Sequence, residues 1–210
     1  MKIALIGATG TIGQRILLEA LSRGHQVTVI ARDPARVQEA KNVQVAIGDV
    51  FKPESIARAA AGHDAVISAY GPKHGEESSL LTATESLIEG VKQSGVRRFL
   101  TVGGAGSLEV APGVHLVDTP EFPDAWKPIA LAHRDALELY RQETELDWTY
   151  LSPAALIEPG ERTGQFRTGT DQLITDKNGD SRISAEDFAV ALLDELENPR
   201  FIRQRFTVAY

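Results

Sequence analysis

The chain contains no cysteine, which excludes disulfides, thiolate nucleophiles and Cys-ligated metals. That absence fits a cytoplasmic protein, and a cytoplasmic location is the expectation. No block of like charge occurs. Lys and Arg total 22 against 29 Asp and Glu, a formal net charge of -7. This balance argues against a nucleic-acid surface, which shows a basic patch. No apolar run reaches the roughly 20 residues that span a membrane. No leader is expected, because Lys2 runs straight into an apolar strand and cleavage would remove the glycine motif behind it. Internal repeats and low-complexity linkers are also missing. What remains is 210 residues with 42% hydrophobic content, enough for one domain with a sizeable core.

The most informative stretch is Gly7-Ala8-Thr9-Gly10-Thr11-Ile12-Gly13. It follows the apolar run Ile3-Ala4-Leu5-Ile6 and opens a helical pattern at Ile12, Ile16, Leu17, Ala20 and Leu21. A second strand, His25 to Ile30, completes a strand–helix–strand unit. In that context three glycines serve a dinucleotide. The first permits the tight turn, the second lets the pyrophosphate approach the main chain, and the third lets helix and strand pack closely. The N–H groups of the helix start then face the phosphate charge.

Strand and helix patterns continue to alternate. A short helix is expected near Pro34 to Lys41, then strands at Val43 to Ile47, Ala65 to Ser68 and Phe99 to Val102. Helices are expected at Glu54 to Ala61, about Glu77 to Gln93, and about Ile129 to Thr144. The strand Trp148 to Leu151 follows. Ser184 reads as the N-cap of a last helix, with Asp187 three residues later, and Phe206 to Val208 reads as a strand closing the sheet. The fold class is α/β, a Rossmann-type doubly wound parallel sheet with helices on both faces. Residues 1–210 read as one domain. Residues 153–182, rich in Pro, Gly and polar groups, read as a small C-terminal cap on the substrate side.

Ligands of such sheets sit beyond the carboxyl ends of the strands. The second strand ends Ala31-Arg32, where NAD-binding chains place an acid. Arg32 suits the 2′-phosphate of NADP, so NADP is expected ahead of NAD. The other reading of Arg32 is a surface side chain paired with Asp33 or Asp49. Asp49 and Val50, after the third strand, are candidates for the adenine, with a turn-capping role for Asp49 as the alternative. Ala69, Tyr70 and Gly71 end the fourth strand, and Gly103 and Gly104 the fifth. These small residues leave room for ribose and nicotinamide.

The chain resembles the atypical short-chain dehydrogenase/reductases, in particular the NAD(P)H-binding group of NADH-flavin reductase type, over essentially its whole length. The likeness rests on the 7–13 motif, Ala31-Arg32-Asp33-Pro34, Gly48-Asp49-Val50, the segment Leu146 to Pro153, and Ile183 to Ala189. It implies that Thr9, Thr11 and Ile12 line the phosphates along with Gly7, Gly10 and Gly13. It also implies that Pro153, Ala154 and Ala155 flank the nicotinamide.

The wider superfamily relays protons through a tyrosine and a lysine four residues later. Here Tyr70, Tyr140 and Tyr150 are followed at that spacing by His74, Thr144 and Ala154, and Tyr210 ends the chain. Reduction of a carbonyl needs a proton placed on oxygen. A flavin or quinone asks mainly for alignment of two rings, which favours a small-molecule electron acceptor of that kind. His133, near the family's lysine position, is a candidate acid or ribose-orienting group, with a structural role as the alternative. Tyr70 is a candidate to stack on or hydrogen-bond the substrate, with packing as the alternative. A non-catalytic NAD(P) sensor is the second functional reading. An isomerase or dehydratase holding NAD is disfavoured by Arg32 and the missing relay. The pattern assigns no oligomeric state.

Residues Asp176 to Asp187 imitate a calcium loop, with Asp176, Asn178 and Asp180 at ligand spacing. The sixth position is Ser181 rather than glycine, and the twelfth is Asp187 rather than glutamate. An Asn-Gly turn before a capped helix explains the same residues, and no metal is expected.

Overall fold

The computed structural model describes residues 1–37 and 42–210. Strands β1 (Lys2–Ile6), β2 (Gln26–Ala31), β3 (Val43–Ile47), β4 (Ala65–Ser68), β5 (Arg98–Val102), β8 (Asp147–Ser152), β10 (Arg167–Gly169) and β12 (Gln204–Ala209) form one sheet, in the order β10-β12-β8-β5-β4-β1-β2-β3. Every neighbouring pair is parallel except β10 with β12. The order reverses between β1 and β4, the arrangement of a doubly wound Rossmann sheet.

Alternation along the buried strands sends successive side chains to opposite faces. Ile3 and Leu5 of β1 join a core with helices α1 (Thr11–Ser22) and α5 (Ala185–Glu197). Ala4 and Ile6 join the other core, against α2 (Pro53–Ala60), α3 (Ser79–Ser94) and α4 (Lys127–Gln142). Phe188, Leu192, Leu193 and Leu196 of α5 are all buried, and each such side chain contributes about 1.5–3 kcal/mol of burial. Ser184 caps this helix by accepting from the Asp187 amide at 2.9 Å.

The departures from expectation lie in short, polar elements. The closing strand β12 is not the edge. β10 adds antiparallel beyond it, pairing Gly169 with Thr207 and Thr168 with Val208. β6 (Glu109–Ala111) and β7 (Val114–His115) make a hairpin, and β9 (Leu156–Glu158) pairs in parallel with β11 (Arg182–Ser184). The helix expected near Pro34 to Lys41 is a one-turn 3-10 helix at Pro34–Arg36, and residues 38–41 lie outside the described residues. Segment 160–165 is fastened down. Arg162 donates to Glu19 of α1 through both Nε and Nη2 at 2.8 Å, while Thr163 and the Gly164 amide donate to buried Asp187 of α5 at 2.5 and 2.7 Å. Residues 176–180 form a tight turn in which the Asp176 carboxylate accepts from the amides of Asn178 and Asp180.

Candidate dinucleotide and acceptor site

Two cavities open side by side along the carboxyl ends of the parallel strands. The first, of about 440 Å³, is walled by Gly7 and Thr9 after β1, Ala31 and Arg32 at the end of β2, Gly48 and Val50 after β3, and Tyr70 after β4. Its loop owes its shape to glycine. Gly7 has φ +82°, and a Cβ there would stand 2.4 Å from the Ala69 carbonyl oxygen. Gly13 presses α1 onto the loop so closely that a Cβ would lie 2.0 Å from the Gly7 oxygen. Gly10 differs. Its nearest protein neighbour to such a Cβ is 3.5 Å away, an ordinary contact. The fold requires Gly7 and Gly13 but not Gly10, where the main chain stays open to an approaching group. Gly10 is also the N-cap of α1, and no side chain caps that helix, so its first amides are left for an anion. These observations fit a pyrophosphate.

Arg32 is exposed at the rim. Its two acidic neighbours are engaged elsewhere. Asp33 accepts from the Ala35 amide at 3.1 Å, and Asp49 accepts from the Phe51 amide at 3.1 Å, with Lys52 Nζ 4.0 Å away. Among the described residues Arg32 forms no ion pair. Asp49 thus caps its own turn, whereas Gly48 and Val50 on either side face the cavity. Thr11 lies at the exposed start of α1, and Ile12 packs against the core. Gly71 is exposed with open space around it.

The second cavity, of about 470 Å³, holds Gly103, Gly104, His133, Pro153, Ala154 and Ala155. Its remaining walls are largely apolar, with Leu116, Phe122, Trp126 and Ile129 prominent. The structure thus brings His133 together with the Gly103–Gly104 and Pro153–Ala155 stretches. Tyr70 lines the other cavity, where its ring meets Phe51 edge-on and its hydroxyl lies 3.4 Å from Ser79 Oγ. Leu116, Phe122 and Trp126 were not expected. The one signal for them in the sequence is a tryptophan in a polar stretch rich in proline, and Trp126 remains 59% exposed.

The placement of His133 follows from packing. It stands two helical turns before Tyr140 on the same face of α4. Tyr140 is anchored among Phe99, Trp148 and Tyr150 at centroid separations of 5.6–5.9 Å. His133 therefore lies over Tyr150 of β8. Their contacts are 2.9 Å from the Tyr150 hydroxyl to the His133 carbonyl oxygen and 3.2 Å from that hydroxyl to Nδ1. Desolvation lowers the His133 pKa to about 4 and raises that of Tyr150. Neither group is charged at neutral pH. One further depression spends its charges internally, with Arg205 paired to Asp171 and Arg141 to Glu138.

The comparisons agree with this geometry. The profile of the NAD(P)H-binding family matches residues 7–199. The Bacillus subtilis (strain 168) protein YwnB is 44% identical over 211 residues, covering 99% of this chain and 98% of that one. A crystal structure from Burkholderia pseudomallei, described as that of a candidate exported protein, superposes with TM-score 0.93 at 57% identity over the whole of both chains. A candidate NADH-flavin reductase from Streptococcus pneumoniae TIGR4 gives TM-score 0.89 at 36% identity, covering 100% of this chain and 99% of that one. With the glycine loop, the strand order and the profile in agreement, the chain belongs to the NAD(P)H-binding family of oxidoreductase-like Rossmann proteins.

Proposed function

We propose that the chain is an NADPH-preferring oxidoreductase that reduces a flavin, quinone or similar small planar acceptor. The observation that carries this reading is the apolar cavity of about 470 Å³ directly beyond β5 and β8, next to the cavity that suits the adenosine half of a dinucleotide. When bound, the dinucleotide supplies the hydride. Gly7, Gly10, Gly13, Thr9, Thr11 and Ile12 would hold its pyrophosphate, Arg32 its 2′-phosphate, and Val50 with Asp49 its adenine end. Ala69, Tyr70, Gly71 and Pro153 to Ala155 would flank the remainder. The chain's own contribution is alignment of two rings and exclusion of water by Leu116, Phe122, Trp126 and Ile129. Of the two catalytic candidates, His133 faces the acceptor cavity, and Tyr70 would act from the cofactor side.

Residues 153–157 line the acceptor cavity, which supports reading the 153–182 segment as a substrate-side cap on a single domain. Among the described residues no helix is long and apolar enough to cross a membrane. Work in the cytoplasm, beside the cell's supply of NADPH, goes with this reading.

The test is oxidation of NADPH and NADH by the purified chain with a panel of free flavins and quinones. Steady turnover with NADPH preferred is the expected result. Tight cofactor binding with no turnover on any acceptor would replace the enzyme with a redox sensor.

A further inference from the structure

We propose that Tyr150 is a positioning residue that holds His133 as its Nδ1–H tautomer, leaving Nε2 as a hydrogen-bond acceptor in the wall of the second cavity. That acceptor selects planar ligands carrying a ring N–H, as a flavin imide does, over quinones, which carry none. The selection rests on the acceptor reading proposed above; the tautomer does not.

Counting protons leads to the assignment. The Tyr150 hydroxyl has one proton and two hydrogen-bond neighbours, the His133 carbonyl oxygen and His133 Nδ1. A carbonyl oxygen only accepts, so the hydroxyl donates to it at 2.9 Å. With that proton spent, Nδ1 at 3.2 Å meets a lone pair of the hydroxyl oxygen and brings its own hydrogen. A neutral imidazole with its proton on Nδ1 has its free lone pair on Nε2.

The hub is rigid. Tyr150 is 1% exposed, its ring packs against Tyr140, and the Gly103 backbone lies on the ring face. Gly104 also closes over the histidine, where a Cβ would sit 2.7 Å from that of His133. Among the described residues Nε2 has no hydrogen-bond partner. Burial keeps the ring neutral, with its pKa near 4, so Nε2 stays unprotonated at neutral pH. His133 is therefore prepared to accept a hydrogen bond rather than to deliver a proton. The cavity is largely apolar, with Thr119 and Glu121 its other polar side chains, and an unmatched Nε2 penalises a ligand that fails to satisfy it.

Nitrogen-15 NMR of the full chain tests the tautomer directly, with His133→Gln identifying the ring signals. The Nδ1–H pattern is expected in the wild type, giving way to a mixture or to Nε2–H in Tyr150→Phe, which keeps the ring but lacks the hydroxyl. Should Tyr150→Phe not fold, the wild-type pattern decides. Lumiflavin and N3-methyl-lumiflavin then test the selection. The methylated compound should bind about tenfold more weakly to the wild type, and the two equally to His133→Leu. An Nε2–H pattern in the wild type, or a pattern unmoved by Tyr150→Phe, overturns the tautomer. Equal binding of the two compounds by a wild type that reduces lumiflavin overturns the selection alone. The expected tautomer with no binding of lumiflavin supports the lock and removes the flavin from the proposed function.

Discussion

Gly103 lies so close over Tyr150 that a Cβ on it would stand 1.9 Å from Cε1 of the ring and 2.5 Å from Cζ. The loop after β5 and the face of β8 are thus a single packed unit, and the second cavity inherits its floor from them. Gly103→Ala should destabilise the fold by about 1–3 kcal/mol, the usual result of forcing a methyl group into a filled site. Chemical denaturation measures it. Tyr150→Phe in the same chain should give no rescue, since the ring carbons that collide remain. Full stability in Gly103→Ala would show that the loop stands farther from the ring.

Gly10 and Gly13 should separate binding from folding. Gly13→Ala sets a Cβ 2.0 Å from the Gly7 oxygen and 2.7 Å from its carbonyl carbon, both backbone atoms that cannot rotate away. A loss of about 2 kcal/mol or more is expected. Gly10→Ala meets only an ordinary contact at 3.5 Å, so folding should lose less than about 1 kcal/mol. Its NADPH affinity should nevertheless fall, because the methyl group occupies the approach to the helix amides. Thermal melts with and without NADPH read both effects. A Gly10→Ala chain that melts and binds as the wild type would remove the phosphate from this loop.

In the proposed function Arg32 carries the choice of cofactor. In Arg32→Ala the preference for NADPH over NADH should fall about tenfold or more, the loss expected for hydrogen bonds to a charged group. Stability should hardly change, since the side chain is exposed at the rim. An unchanged preference, measured by titrating both nucleotides, would return Arg32 to the role of a surface residue.

What could be read from the sequence follows from length and periodicity. β1, β2, β4, β5 and β8 of the central sheet are largely buried runs of four to six residues between helices of clear period, and a local pattern specifies them, whereas the edge strand β3 is mostly exposed and is marked by its β-branched residues. β6, β7, β9 and β10 are two or three residues long and mostly exposed, so neither alternation nor burial marks them. The glycine loop was legible because one contiguous segment makes it. The second cavity was only partly so. His133 and Tyr150 are 17 residues apart, and their contact exists because Tyr140 locks α4 into an aromatic cluster. Phe122 and Trp126 precede α4 with no periodic signal, and only the folded chain brings them to the cavity wall.

The half-buried, desolvated imidazole also makes stability depend on pH. Unfolded, His133 titrates near 6.5; folded, desolvation lowers it to about 4. Between these values the unfolded chain binds a proton that the native chain does not, so stability falls as pH drops through that window. Above 6.5 and below 4 this group adds no slope. The full effect is at most about 3 kcal/mol, and about 2 kcal/mol of it should appear between pH 7 and pH 4.5. His133→Gln has no ring to titrate. Its stability should therefore decline less than that of the wild type over the same interval, by that amount, when urea unfolding is followed at both pH values. Parallel curves for the two chains would mean that His133 is as well solvated in the folded protein as in the unfolded one, and the cavity wall would have to be more open than its packing against Gly104 allows.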